Sequence, residues 1–422
     1  MLLKTMNSKR IDWLIRHGRV IDPTNRIDGV FDVAITNGTI MEVGANLDTG
    51  QVDNLYDARG MIVTPGLIDL HTHIYHKATP LGIDADHYCL GRGVTTAVDA
   101  GSAGCDTIPG LRAFSAERFQ TRILAYLNIS RMGIAVGGVT GGEEPGELES
   151  PKFIHAHDCV ACIESNRDLL VGVKVRLSAS IADGGKNEVL AYLQAREAAL
   201  ATNLPLMVHH SFSSIMLEES PGQMRAGDIY THCYHGFDST IVDPESKVID
   251  PTVTAARKRG VLFDIGHGMG AFNWTVAEIC SAKDFWPDTI STDLHSFTCE
   301  GPGYDQPTVM SKLLHLGMPL VEVVRASTET PAAAIGWQDR IGSLGVGREA
   351  DVAVFSLEDV DVLLEDCQGQ KRPVAQRLKT EAVWKAGEPR RVTEPEQWPN
   401  TKNAEKAKAG WQQLVIRDDS PP

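Results

Sequence analysis

Between residues 66 and 338 short β-rich runs recur at 66–71, 93–99, 122–129, 170–176, 205–209, 228–232, 261–265 and 289–293, with helix-compatible segments between most of them. One such segment is "KNEVLAYLQAREAALATN" at 186–203. A strand that returns parallel to its predecessor needs a crossover long enough to hold a helix, so this alternation implies a parallel sheet. Eight such units predict an α/β chain whose centre is a (β/α)8 TIM-like barrel. A doubly wound open sheet is the alternative. No G-x-G-x-x-G fingerprint follows the first run, which counts against a dinucleotide fold.

The ends of the chain read differently. "WLIRHGRVID", "GVFDVAITNGTIMEVG" and "NLYDARGMIVTPG" alternate partly and are broken by Gly, Asn and Asp, with a hairpin signal at "TNGT". "GSLGVGREADVAVFSL" and "EAVWKAG" repeat that texture near the other end. The expected organisation is a small β-sandwich domain built from residues 1–65 and 339–390, a barrel at 66–338 inserted between them, and a surface tail at 391–422. The tail, charged and punctuated by proline, is expected to pack on the surface or on a neighbouring subunit of a homo-oligomer.

Composition narrows the function classes. The 422 residues are 42% hydrophobic, enough for a substantial core, and no apolar run approaches a membrane span. The net charge of −15, from 40 basic and 55 acidic residues without a basic stripe, argues against nucleic acid or an anionic membrane as partner. A small-molecule substrate is expected instead. The start, "MLLKTMNSKRIDWLIRHGRV", lacks a secretory pattern, so a cytoplasmic protein is expected. Eight cysteines are scattered, and the pair Cys159 and Cys162 shares a helix face with no second pair at zinc-ribbon spacing.

In a parallel barrel the chemistry sits at the carboxyl ends of the strands. The first run, "TPGLIDLHTHIYHK", ends in His71 and His73, which project together because residues two apart share a face. Asp69 is expected on that face below them. In "LVGVKVRLS" Val171, Val173 and Val175 turn outward, leaving Gly172, Lys174 and Arg176 inward. The fifth run ends in His209 and His210, the sixth holds His232 and His235, and the eighth ends in Asp293. Neutral imidazoles and a carboxylate at one mouth are a ligand set for divalent metal. Lys174 is no ligand as an ammonium. Buried beside cations it would be driven neutral, and a neutral amine adds CO₂ to give a carbamate whose two oxygens can bridge two metals. The charges are then largely offset: of the four brought by two divalent ions, the carbamate, Asp293 and a bridging hydroxide remove three.

Together these residues resemble the amidohydrolase superfamily, through "PGLIDLHTH" after an N-terminal β segment, an inward lysine on strand four, histidines ending strands five and six, and an aspartate ending strand eight. "GVKVRLS", "VHH", "GDIYTHCYHG", "DIGHGMGAFNW" and "TISTDLH" are similar to its binuclear deacetylase-like subgroup, many of whose members carry a dihydroorotase label. The resemblance covers residues 11–388. It implies His71, His73 and Asp293 on one metal, His209 and His232 on the other, carboxylated Lys174 between them, and zinc as the metal. It also implies hydrolysis of amide or ester bonds, some relatives acting on N-acyl amino acids or acylated 2-hydroxy acids.

Two departures bear on substrate. Dihydroorotases usually carry an arginine two residues after the second histidine, where this chain has Tyr75, and adenosine-deaminase-like relatives lack the lysine. The expected mechanism is attack by the bridging hydroxide, with Asp293 shuttling the proton to the leaving group. Substrate contacts are expected from Arg131, His235 and the glycine-rich "GHGMG" around Gly268, which permits close backbone approach. Arg176 has two readings, a substrate carboxylate or an ion pair with an inner carboxylate such as Asp99. Three classes stay open: a hydrolase of exocyclic amides or esters, a cyclic amidase of dihydroorotase or hydantoinase type, and a non-catalytic scaffold. The intact ligand set disfavours the third, and Tyr75 favours the first.

Overall fold

The β-rich runs at the two ends of the chain hydrogen-bond to each other, and the alternating middle forms a sheet of its own. The computed structural model describes residues 10–48, 50–136, 145–243 and 245–400. The N-terminal end supplies β1 (Ile11–Asp22), β2 (Ile27–Thr36), β3 (Thr39–Gly44), β4 (Val52–Asp57) and β5 (Ile62–Pro65). The middle supplies β6 (Leu67–Thr72), β7 (Val94–Ala100), β8 (Arg122–Asn128), β9 (Leu170–Leu177), β10 (Leu206–His210), β11 (Ile229–Thr231) and β12 (Leu262–Asp264). The C-terminal end adds β13 (Val352–Glu365), β14 (Lys371–Lys385) and β15 (Glu388–Arg390).

The sheet of the two ends differs from the expected sandwich. Its strands follow one path, β15-β14-β13-β5-β1-β2-β3, with β4 paired to β1. β5 and β13 meet edge to edge in antiparallel register, Val63 opposite Val354, so the two ends extend a single sheet. Its apolar side gathers Ile15, Val20, Val33, Val63, Val354 and Trp384.

The middle sheet is parallel throughout, in the order β12-β11-β10-β9-β8-β7-β6. Strand alternation sorts its side chains. Ile68, Leu70, Val98, Leu124, Tyr126 and Met207 pack against one another across the curled sheet, while Val173, Val175 and Val208 join the layer shared with the helices. The segment expected to be helical at 186–203 forms a helix at Glu188–Thr202, stopped by Asn203 at φ +55° whose N–H caps Ala199 O and Leu200 O.

Seven of the eight expected strands form the ladder; the stretch 289–293 does not. It lies between β12 and β6 but pairs only through single parallel bridges, Thr289 to Asp264 and Leu294 to Thr72. The reason lies in its polar residues. Thr292 N donates to the Asp69 carboxylate at 3.1 Å instead of to a strand carbonyl. Thr289 and Ser291 hydroxyls donate to Asp264 at 2.6 and 2.7 Å.

Residues 401–422 of the expected tail lie outside the described residues. Before them the chain folds back on itself, with Thr393 N donating to Gly91 O at 2.8 Å and Trp398 Nε1 to Thr308 Oγ1 at 3.1 Å. All eight cysteines are free thiols. No helix among the described residues is long and apolar enough to cross a membrane.

Asp351 ties the two sheets together. Its buried carboxylate meets Arg122, at the start of β8, at 2.7 Å and Lys385, on β14, at 3.1 Å. Burial would raise this carboxyl, but the two cations hold it below the usual carboxylate range. Among the described residues, removing Asp351 leaves Arg122 and Lys385 only the partly exposed Glu349 as counter-charge, and breaking a buried pair costs about 3–5 kcal/mol. Asp351→Ala should therefore lower the stability read by urea unfolding by about that amount. An unchanged midpoint would refute the role given to this junction.

Candidate active site

Five strand ends bring their polar residues to one mouth. β6 carries His71, with His73 just beyond it; β9 carries Lys174; β10 carries His209. His232 follows β11, and Asp293 follows the bridged stretch. His73 Nε2 stands 3.0 Å and His71 Nε2 3.3 Å from Asp293 Oδ1. Lys174 Nζ is 3.3 Å from His71 Nε2. One ligand atom each from His71, His232 and Asp293 lie within 4.8 Å of one another. The His232 ring centre is 4.8 Å from that of His71 and 4.3 Å from that of His209.

The outer partners of the rings fix which nitrogen carries the proton. His232 Nδ1 is 2.6 Å from Gly266 O, and a carbonyl only accepts, so this nitrogen donates. Its Nε2 is then a lone-pair donor, buried and without a hydrogen-bond partner. Thr231 Oγ1 donates to Asp264 at 2.7 Å and so accepts from His71 Nδ1 at 2.9 Å. The Ser102 side chain bonds to Asp99 and meets His73 Nδ1 at 2.8 Å in the same relation. The Nε2 lone pairs of His71 and His73 therefore face the Asp293 carboxylate. Three bare imidazole nitrogens converging with a carboxylate are a donor set that fits a divalent cation. Ser211 Oγ engages His209 Nε2 at 2.7 Å.

Burial sets the protonation states. It pushes His71 and His209 well below the usual histidine range and His232 down to about 4, so all three rings are neutral near pH 7. It lowers the Lys174 ammonium to about 7, against the pull of Asp293 and Asp264. For Asp293 burial works upward, but the imidazoles of His73, His232 and His295 around it bring it to about 2.

Backbone geometry supports the cluster. His232 and Asp293 adopt φ +68° and +47°, conformations non-glycine residues seldom hold and that cost of order 1–3 kcal/mol each. Glycines leave room for their side chains: a Cβ on Gly268 would stand 2.3 Å from Asp293 Oδ2, and one on Gly266 2.7 Å from His232 Nδ1. The close approach expected of Gly268 is thus to Asp293.

Other expectations need correction. Asp69 does not share the face of the two histidines. A register shift between Asp69 and Thr72 turns its carboxylate toward the neighbouring stretch, where it accepts from Thr292 Oγ1 at 2.6 Å. Arg131 does not reach the mouth; its guanidinium holds Asp106 at 2.7 Å and also pairs with Asp158 near the surface. Arg176 lines the cavity, but it pairs with Glu147 through two contacts of 2.6 Å, and Asp99 instead accepts from Ile74 N and Ser102 N. His235 is buried behind the wall and stacks on Phe237 at 5.6 Å. His210 is packed between Tyr230 Oη and Ile215 O, both at 2.9 Å. Tyr75 donates its hydroxyl to Thr107 O at 3.0 Å.

Asp264, Thr231 and Ser102 went unmarked in the sequence, because a polar residue inside an apolar strand or after one carries no spacing signal. His295 also went unmarked, although it lines the cavity and stands two residues after Asp293. The cavity holds about 780 Å³ of empty space, its solvent-open mouth included. Leu81, Ile181, Phe212, Phe237 and Met269 give it an apolar wall, and Ser178, Ser180 and Ser211 add hydroxyls.

Comparison with known proteins agrees with this geometry. The profile of the Amidohydrolase family matches residues 276–393. A deacetylase of Agrobacterium fabrum is 35% identical over 333 residues, which are 79% of this chain and 80% of the relative. A crystal structure of a dihydroorotase superposes with a TM-score of 0.82 at 31% identity, covering 91% of this chain and 99% of that one. A crystal structure of an adenine deaminase superposes equally well, TM-score 0.82, at 28% identity over 90% of this chain and 99% of that one.

The buried rings predict acid sensitivity. His210, His232 and His295 are pushed by burial to about 4, and His235 to about 3, against about 6.5 in an unfolded chain. Between those values the unfolded state binds more protons, so stability falls as pH drops below about 6.5. Asp69 and Asp366, raised by burial to about 7 and about 6, act in the opposite direction, as do Asp22, Asp99, Asp264 and Asp288, also raised by burial, but the lowered histidines, with His71, His209 and His267 among them, outnumber these carboxyls. The metal-free protein should lose thermal stability steadily from pH 6.5 to 4.5 in calorimetry. A flat profile would contradict neutral buried rings.

Proposed function

This chain belongs to the amidohydrolase family, in its deacetylase- and dihydroorotase-like subgroup, and from that premise we propose a metal-dependent hydrolase of exocyclic amide or ester bonds. It is a deacetylase-like enzyme acting on small molecules. In our reading the substrate is an N-acyl amino acid or an acylated 2-hydroxy acid. The observation that carries the reading is the convergence of the Nε2 lone pairs of His71, His73 and His232 on Asp293 inside one cavity.

His71, His73 and Asp293 would hold one divalent ion, His209 and His232 a second, with Lys174 carboxylated between them and zinc as the metal. Ions bound there supply Lewis acidity, polarising a carbonyl and acidifying water. Lys174 suits carbamate formation because its amine is wholly buried and reaches neutrality near pH 7, the form that adds CO₂. Asp264, through Thr231, and the Gly266 carbonyl hold the His71 and His232 rings in the required tautomers. Asp293 takes a proton from the attacking water and passes it to the departing nitrogen or oxygen. Its low affinity for protons keeps it ionised between turnovers. The apolar wall excludes water around the scissile bond and receives the substrate's carbon skeleton.

Lys174 argues against a deaminase of the adenosine-deaminase type, whose members lack that lysine. Tyr75, whose hydroxyl is engaged by Thr107 O, argues against the dihydroorotase one.

Zinc-loaded protein should be assayed on N-acyl amino acids, acylated 2-hydroxy acids, hydantoins and dihydroorotate. Turnover is expected on the first two sets. Asp293→Asn, which keeps the size but removes the charge and basicity, should lower kcat by at least about 10³-fold, since acid–base contributions of about 10²–10⁴ are usual and a ligand is also weakened. Turnover confined to the cyclic substrates would overturn the proposed bond class. An Asp293→Asn rate within about tenfold of the parent, both metals retained, would reduce Asp293 to a structural role.

A further inference from the structure

Lys312 lies on the helix Gln306–His315 and is wholly buried. Among the described residues no carboxylate lies within hydrogen-bond reach of its ammonium. It spends its three protons on Glu365 O at 2.6 Å, His267 Nε2 at 2.7 Å and Pro302 O at 3.1 Å. The rings of Phe272 and Trp274 flank it at 5.2 and 5.8 Å. Burying an ammonium in this way is costly, and nothing in the proposed reaction uses it directly.

Its contact with His267 leads to the reacting groups. Because an ammonium can only donate, His267 Nε2 accepts, and the ring proton sits on Nδ1, which donates to Gly268 O at 3.1 Å. The ring is stacked on Phe272, centres 4.9 Å apart and planes 11° from parallel. Cys367, in the turn between β13 and β14, closes the other side, its thiol donating to His267 O and Gly268 O at 3.2 Å. From the same turn Gln368 Nε2 donates to Gly270 O at 2.9 Å. Residues 266–270 are thereby fixed from three sides.

That turn touches both ends of the proposed centre. Gly266 O takes the His232 Nδ1 proton, and Gly268 N donates to Thr292 O at 2.9 Å, next to Asp293. The Gly268 Cα faces Asp293 Oδ2 with no room for a methyl group. We propose that Lys312, acting through His267, is a positioning residue that holds the Gly266–Gly268 turn against His232 and Asp293, so that the C-terminal hairpin completes the active site. This rests on the reading of His232 and Asp293 as working groups.

The test separates positioning from mere stability. Lys312→Met removes the ammonium and leaves His267 Nε2 buried and unpaired, so the melting temperature should fall. The double variant Lys312→Met/His267→Phe removes both partners and keeps a ring on Phe272, so much of that loss should return. Leu313→Ala, a cavity in the apolar layer one residue further along the same helix, is the control for destabilisation alone.

Three quantities are read for each protein: melting temperature, zinc affinity by chelator competition, and kcat and KM on the best substrate of the parent. In Lys312→Met, kcat is expected to fall at least about tenfold with KM within about threefold, and zinc to bind about tenfold more weakly. The double variant should regain melting temperature but neither kcat nor zinc affinity, and Leu313→Ala should keep both. Recovery of kcat and zinc affinity together with melting temperature would overturn the proposal. So would parental values in Lys312→Met, or losses of the same size in Leu313→Ala. Should Lys312→Met fail to fold, the double variant decides. Absence of hydrolysis by the parent would instead refute the functional reading, and the zinc affinities would still report on positioning.

Discussion

Desolvation of nitrogen is the constraint on which this structure rests. Neutral imidazoles can be buried side by side; imidazolium ions cannot. By burying His71, His209 and His232 at one mouth and admitting Asp293 as the negative partner, the fold keeps these three rings unprotonated near pH 7. Everything around the cluster serves that state. Thr231 (itself held by Asp264), Ser102 and the Gly266 carbonyl each hold the far nitrogen of a ring, so that the near one faces inward. Lys174, driven toward the free amine by the same burial, joins the set as a base.

A strained backbone accompanies this order. His232 and Asp293 both occupy left-handed conformations, and their side chains lie against glycines that leave them room. Such conformations persist only where surrounding contacts over-determine them. Here the contacts come from far along the chain. The β13–β14 turn reaches the 266–270 loop through Cys367 and Gln368, and Asp366 accepts from Trp274 N at 3.1 Å. A sheet that looks like an accessory at the two ends of the sequence thereby supports the chemistry at the centre.

The strand ends were legible in the sequence because period-two alternation and strand–helix alternation are local signals. His71, His73, Lys174, His209, His232 and Asp293 could be placed at one mouth from those two rules alone. What escaped was everything set by pairing across the molecule. The bridged stretch at 289–293 reads as a strand, yet its hydroxyls and Thr292 N bond to Asp264 and Asp69, residues remote in sequence. Glu147 as the partner of Arg176 could not be chosen over Asp99 without knowing which loop folds inward. Arg131 follows a strand end, as a substrate contact should, but its loop delivers it to Asp106 and Asp158 instead. The single end sheet was missed for the same reason, since edge-to-edge joining of β5 and β13 leaves no mark in either segment.

We propose that these buried donors hold a two-metal centre bridged by Lys174. Anomalous diffraction at the zinc edge, from crystals grown with zinc and bicarbonate, tests it most directly. Two strong peaks are expected, one among His71, His73 and Asp293 and one between His209 and His232, with additional density extending from Lys174 Nζ toward both. Crystals that diffract well and show no zinc peak at this mouth, or peaks with Lys174 hydrogen-bonded as a plain amine, would contradict the account.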